Sequence, residues 1–410
     1  MSGNFSLQYE DVASSADWRD NPVELKPELM AISADSHVTE PPEAYSRYID
    51  PKFRGQTPHV VDNPDTSINN QLYMVEGMGG FPFHTAAAAG MRPQDISLER
   101  GGFATMPQAG WDPKHRIAAQ DQDGMLAEVL YPTLGMILCG HPDADYKTAC
   151  FRAYNQWIRD YCAEDPKRLY GVGQTAARSP RDTIEDLIQI KELGLKSVMM
   201  PADPGCDDMD YDHPEFDAVW KTAVELELPI SFHILTGKVS GQFVAKPPRG
   251  GKLAGFNSIM RDLQDITGMF IFGRVFERHP DLRIVLVESD AGWVPHFMSR
   301  MDHIYKRHRF WMKSADMAKL PSEYFREHVY LTFQDDWVAF QTTHMMNPDR
   351  LMWANDYPHS DSTWPWSHEI LGHHLKGLPQ QQIDRILREN VKELYKLDVD
   401  TKVSEAALTH

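Results

Sequence analysis

At 410 residues the chain is long enough for one large α/β barrel with insertions, or for two to three ordinary domains. Its 42% hydrophobic and 24% charged residues are those of a globular protein, and no apolar run reaches the ~18 residues of a membrane span. A net charge of −18 excludes nucleic acid and anionic membrane as partners, because either polyanion is repelled. The N-terminus MSGNFSLQYEDVASSADW has neither a basic nor an apolar leader region, so a cytoplasmic location is expected. Cys139, Cys150, Cys162 and Cys206 show no metal or redox spacing and read as reduced thiols.

Residues 1–28 read as an N-terminal arm without a core, and 401–410 as a tail. Between them, short apolar runs recur at 29–37 (LMAISADSH), 128–133, 169–176, 197–202, 229–234, 283–289, 329–333 and 351–358 (LMWANDYP). Each is a continuous run rather than an alternating one, as expected of strands covered on both faces. Amphipathic segments follow most of them: Tyr146 to Ala163, Pro180 to Leu193 behind the capping Ser179, Pro214 to Glu227, Gly255 to Arg278, Val294 to Trp311 and Gln380 to Leu397. Eight strand–helix alternations predict a parallel, closed (β/α)₈ barrel over 29–400, with an open doubly wound sheet as the rival. Residues 41–127 form a long β1–β2 insertion, rich in glycine and turns, of the kind that serves as a lid or a subunit contact.

In such a barrel the chemistry sits at the C-terminal ends of the strands. The first strand ends in Asp35-Ser36-His37, whose outer two residues face the same way. The fifth ends in His233, the sixth in Glu288 and the eighth in Asp356, with Glu40 and His359 just beyond strands one and eight. Singly, each is an ordinary turn or hydrogen-bonding residue. Converging from four strands, so many carboxylates repel one another unless a cation sits among them. Asp35, His37, Glu40, His233, Glu288, Asp356 and His359 are therefore the candidate metal ligands, and Glu288, Asp356 and His359 the candidate catalytic groups. Oxygen-rich donors with a few imidazoles suit iron or manganese, with zinc as the alternative, and the carboxylates suffice for two ions.

The segments ADSHVTEP (34–41), PISFH (229–233), GRVFERHPDLRIVLVES (273–289) and LMWANDYPH (351–359) resemble the amidohydrolase superfamily. The likeness is to the branch that includes the aminocarboxymuconate-semialdehyde and resorcylate decarboxylases. It implies a metal-dependent barrel enzyme whose ligands map onto Asp35, His37, His233 and Asp356. Two departures stand out: Glu288 occupies the place of the decarboxylases' catalytic histidine, and no lysine ends strand four (SVMMPADP). Carboxylate enrichment is similar to a small group of dinuclear iron or iron–manganese hydroxylases, exemplified by 2-aminoisobutyrate hydroxylase. That likeness implies an O₂-activating monooxygenase subunit acting on a small organic substrate. A mononuclear zinc or manganese decarboxylase or hydrolase is the alternative, and a metal-bearing non-catalytic partner subunit is the third reading. A homo-oligomer, or a hetero-oligomer with a related subunit, is expected.

Several residues are read as structural. His84, in the insertion, is expected to be a solvated loop residue rather than a ligand, and Gly79, Gly80, Gly101 and Gly102 to be turn residues. His303 and His308 read as surface residues, with His296 near enough to strand six to support the site. Trp353 reads as core, Trp364 and Trp366 as pocket wall or packing, and Arg274 and Arg278 as stabilising the far end of the barrel. Ser36 and Thr39 are placed to hydrogen-bond the ligands.

Overall fold

A computed structural model describes residues 24–206, 209–237 and 250–401, so most of the arm (1–23) and of the tail (402–410) lies outside the described residues. Eight strands run in chain order: β1 Ala31–His37, β2 Met125–Tyr131, β3 Leu169–Gly171 with Gly173–Gln174, β4 Val198–Met200, β5 Ile230–His233, β6 Ile284–Val287, β7 Val329–Phe333 and β8 Leu351–Trp353. Every neighbouring pair among them is parallel. The two halves of β3 join the β1–β2 side to the β4–β8 side. The first half pairs with β2, the second with β4, and Val172 N–H donates to Leu130 O across 3.0 Å.

The remaining gap closes beyond the end of β8, where Asp356 N–H donates to Asp35 O (3.1 Å) and His37 N–H to Tyr357 O (2.7 Å). The sheet is thus a closed barrel, and the bonds that close it lie among the candidate site residues. All residues of β1, β5, β6, β7 and β8 are buried, which accounts for their continuous apolar character.

The helices follow the expected periodicities with instructive differences. Ser179 accepts from Asp182 N–H and starts the helix Pro180–Glu192 as its sequence suggests. At Gly173, a Cβ would meet Ile190 of that helix at 2.7 Å, so the missing side chain sets how closely helix and strand pack. The single helix expected over 255–278 is instead three, Gly251–Phe256, Arg261–Phe272 and Val275–Arg278, the last break falling at Arg274 with φ +61°. Strand β2 starts at Met125, ahead of the expected residue 128, because Gly124 ends helix Pro113–Asp123 in a left-handed turn. Within the insertion lies an antiparallel sheet, His59–Asp62, Asn69–Val75 and Gly79–Pro82, which the turn-rich composition concealed.

A buried ion pair ties this insertion to the barrel. Arg116 is fully buried and its Nε donates to Glu128 Oε2 of β2 at 2.5 Å. Its two terminal nitrogens donate to His37 O (2.5 Å) and Tyr357 O (3.0 Å), and the guanidinium lies over the Tyr357 ring. One side chain therefore holds β1, β2 and the β8 loop together at the closure. Replacing it with methionine strands Glu128 in the interior. Arg116→Met should lose about 3–5 kcal/mol in chemical denaturation. The double variant Arg116→Met/Glu128→Leu should recover part of that loss, and equal stabilities for wild type and Arg116→Met would refute this role for the clamp.

Candidate metal centre

Strand geometry brings six of the seven candidates together. Asp35 and His37 point inward from β1, His233 from the end of β5, Glu288 from the residue after β6, and Asp356 and His359 from the loop after β8. Two of these are held in a backbone conformation that side chains disfavour: φ is +53° at both Glu288 and Asp356. Such strain, of order 1–3 kcal/mol per residue, is typical of functional sites. At Glu288 the turn is pinned by its N–H donating to Thr332 Oγ1 (2.8 Å).

The imidazoles are oriented from behind. His37 Nδ1 donates to Pro132 O (3.0 Å) and His233 Nδ1 to Ile234 O (3.0 Å), which leaves each Nε2 with a lone pair facing the centre. Those two Nε2 atoms lie 3.1 Å apart. From His37 Nε2, Asp35 Oδ1 and Asp356 Oδ1 are both 3.4 Å away and Glu288 Oε2 4.0 Å; Glu288 Oε2 is 3.5 Å from His233 Nε2. His359 stacks on His37 at 3.8 Å between ring centres, its Nδ1 3.2 Å from Asp356 Oδ1 and its Nε2 2.9 Å from Thr133 Oγ1.

Three carboxylates in so dry a place cannot all stay charged on their own. Burial, reinforced by Asp356 and Asp35 at Glu288 and by Asp35 and Asp361 at Asp356, pushes both groups well above the usual carboxylate range. Burial also works to raise Asp35, but the neighbouring imidazoles of His233 and His37 outweigh it and hold that group low. Burial pushes His37 and His359 down to about 3, so both rings are neutral at ordinary pH.

The donor set fits a divalent cation. Asp35 Oδ1 and both oxygens of Asp356 are buried without a hydrogen-bond donor, and two imidazole lone pairs face each other. Metal–ligand bonds of roughly 2.0–2.2 Å put any two ligand atoms of one ion within about 4.4 Å of each other, and the separations above satisfy this. The donors form two overlapping groups, Asp35–His37–His233–Glu288 and His37–Glu288–Asp356–His359, which share His37 and Glu288. Nitrogen and oxygen ligands without thiolate suit manganese, iron or zinc. Of the six, Glu288 and His359 have side chains 12% exposed and reach the opening, whereas Asp35, His37, His233 and Asp356 are sealed.

Glu40 is placed elsewhere. Both its oxygens are taken: Oε2 accepts from Thr133 N–H and Leu134 N–H, and Oε1 from Gly135 N–H, each at 3.0 Å, with Tyr45 Oη at 3.2 Å. It caps the turn of helix Leu134–Leu138 and so fixes Thr133, the partner of His359. The expectation that Glu40 faces the cation is corrected accordingly. Ser36 and Thr39 likewise bond structure rather than ligands, Ser36 to Asn355 Oδ1 (2.9 Å) and Thr39 to Ala86 O (3.3 Å). Trp353 is core and donates to Gln334 O, and Trp364 and Trp366 are buried. His296 is exposed and therefore no support to the site. Missed by sequence reasoning were Arg116, Thr332 and Asp123, the last a buried acid that accepts from Asn355 Nδ2 and Ser367 Oγ beside Asp356.

Two outcomes follow from these placements. Burial lifts Asp123 to about 7, and burial with neighbouring Asp336 and Asp361 lifts Asp290 to about 8. Both take up protons on folding relative to an unfolded value of about 3.9. Their contribution is complete below about pH 4 and lost as pH rises through 7 and 8. The metal-free protein should therefore melt on the order of 5 °C lower at pH 8.5 than at pH 5.5, and an unchanged or rising melting temperature would contradict it. By elemental analysis, Asp356→Asn should lose bound metal, whereas Glu40→Gln should keep it while losing about 1–3 kcal/mol of stability.

Comparison with known proteins agrees with this architecture. The family described as Amidohydrolase matches residues 35–397. An amidohydrolase from Mycobacterium avium subsp. paratuberculosis K-10 superposes with a TM-score of 0.72 at 19% identity, over 89% of this chain and 99% of that one. For 5-carboxyvanillate decarboxylase LigW from Sphingomonas paucimobilis the values are 0.62 and 18%, over 90% and 99%. A dihydroxybenzoic acid decarboxylase from Polaromonas sp. JS666, solved with manganese and 2-nitroresorcinol, gives 0.59 and 14%, over 93% and 99%. Decarboxylase orsB of Emericella nidulans is 23% identical over 274 residues, 63% of this chain and 78% of its own length. The family match spans well over half of the sequence: the chain belongs to the amidohydrolase family, as a (β/α)₈-barrel, metal-dependent enzyme of that superfamily.

Proposed function

We propose that the chain is a metal-dependent carboxy-lyase, releasing CO₂ from a small, hydroxylated aromatic acid at the barrel mouth. The observation that carries this reading is Glu288, a carboxyl group that burial keeps protonated, at the opening beside the donors for a divalent cation. The decarboxylases similar in fold support it, one of them with manganese bound. The reaction breaks one C–C bond and needs one proton: the bonding pair stays on the ring carbon, CO₂ departs, and a proton takes its place.

A divalent cation, when bound, supplies the positive charge that anchors and polarises an anionic substrate. Asp35, His37, His233 and Asp356 would hold that cation. Glu288 gives its proton to the ring carbon, a role suited to a carboxyl group that burial holds well above the usual carboxylate range. His359, with Nε2 held by Thr133 Oγ1 and Nδ1 beside Asp356 Oδ1, lines the opening against which the substrate ring would lie. No thiol or exposed lysine is needed.

A second reading rests on the two overlapping donor groups that share His37 and Glu288. They would suit two ions held by shared ligands, the donor inventory that a dinuclear iron or iron–manganese oxygenase would use. The two readings separate in one assay. With manganese supplied, a panel of hydroxybenzoates should release CO₂ without consuming O₂, and Glu288→Gln should lower kcat by about 10²–10⁴-fold while the metal stays bound. Substrate-dependent O₂ uptake with two ions per chain and no CO₂ would overturn the lyase in favour of the oxygenase.

A further inference from the structure

The insertion forms an open-sided cavity of about 710 Å³ between its sheet and the segment 84–106. That volume lies within the ~300–1,000 Å³ range of small-molecule sites. None of the six metal-facing residues lines it. It lies beside the barrel, because Ala87 and Ala88 of its lining sit between two attachments to the barrel, Thr39 Oγ1 donating to Ala86 O (3.3 Å) and Ala89 N–H donating to Pro358 O (3.0 Å).

The lining is mixed: Ile68, Ile96 and Met106 supply apolar surface among polar residues. Most polar groups around it are already committed to the fold. Asn70 Nδ2 donates to Leu98 O (2.5 Å), Gln71 Oε1 accepts from Phe103 N–H (3.2 Å), Gln71 Nε2 donates to Asp62 Oδ1 (3.2 Å) and Asp95 pairs with Arg92 (2.6 Å).

His84 and Arg100 are different. The His84 side chain belongs to a residue only 9% exposed, yet neither ring nitrogen has a hydrogen-bond partner. Its ring is fixed in place, stacked at 5.8 Å on Phe83 and lodged against Gly101. A Cβ at Gly101 (φ +106°) would meet His84 Cδ2 and Nε2 at 2.5 Å, so that glycine leaves the space the ring occupies. Leaving a buried imidazole unpaired is unfavourable, and a ligand atom that pairs with it relieves the cost. Arg100, one residue before that glycine, has no carboxylate partner among the described residues, and it is the other cavity-lining group able to take a negative charge. The expectation of a solvated His84 is thereby corrected: the residue is buried.

We propose that this cavity is a second ligand site, separate from the metal mouth, for a small amphipathic carboxylate. The carboxylate pairs with the Arg100 guanidinium, the apolar body fills the space beside Ile68, Ile96 and Met106, and a hydroxyl group bonds the His84 imidazole. This inference does not depend on the reaction at the mouth.

Equilibrium dialysis of the manganese-loaded full chain with 4-hydroxybenzoate tests it, using the mouth variant Asp356→Ala to isolate the second site. Saturable binding should persist in Asp356→Ala. Adding Arg100→Ala to that background should weaken it by about tenfold or more, the value of one charge-assisted contact. His84→Phe, which keeps the ring volume, should weaken it in the same background, and 4-hydroxybenzamide, which lacks the negative charge, should bind less well than the acid. Absence of saturable binding in Asp356→Ala would overturn the proposal. So would unchanged affinity after Arg100→Ala and His84→Phe in protein whose melting temperature shows it folded.

Discussion

Three carboxylates packed among three imidazoles in a water-poor barrel mouth repel each other, and the surrounding structure is arranged to hold them there regardless. Asp35 Oδ1 and the Asp356 oxygens receive no hydrogen bond, and the lone pairs of His37 and His233 face each other. Such a set is unfavourable by itself and favourable around a cation, because a divalent charge offsets the carboxylates and replaces the proton that Asp356 otherwise retains. Folding energy is spent on building a site that binding energy repays.

That constraint explains features scattered through the chain. The barrel closes where β1 meets the β8 loop, so the hydrogen bonds that complete the sheet also set the spacing of Asp35, His37 and Asp356. Arg116 binds the carbonyls of His37 and Tyr357 and thereby fixes the backbone at that seam. Thr332 accepts the Glu288 N–H and donates to Asp35 Oδ2, linking the sixth-strand donor to the first. Glu40, although not facing the cation, holds the turn that carries Thr133 beneath His359. The left-handed backbone at Glu288 and Asp356 is maintained by these attachments.

The parallel strands and their order were legible because each is a short apolar run buried on both faces, and the rule that barrel strands present chemistry at their C-terminal ends then selected the cluster. Spacing could not distinguish Glu40 from a ligand: a carboxylate three residues beyond His37 can reach a cation or the N–H groups of a neighbouring turn, and only the packing of helix Leu134–Leu138 decides. Arg116's place at the seam was invisible for a related reason, since the two carbonyls it binds lie 79 and 241 residues away. The insertion's sheet left a trace that was overlooked: Asn69–Val75 and Gly79–Pro82 flank a three-residue turn with Gly77 at φ +75°. Burial of His84 depends on Gly101 and Phe83 meeting around it, which no local pattern announces. Among the described residues, no helix is long and apolar enough to cross a membrane.

The most direct test of the central claim is anomalous diffraction from crystals of the manganese-loaded protein. The account predicts manganese in the mouth at roughly 2.0–2.4 Å from His37 Nε2 and His233 Nε2, with a carboxylate oxygen of Asp35 or Asp356 completing the contact. A single peak there accords with the lyase, and a second within reach of His359 with the dinuclear reading. No peak at the mouth in metal-saturated crystals, or a peak held by Glu40 instead, would contradict the account.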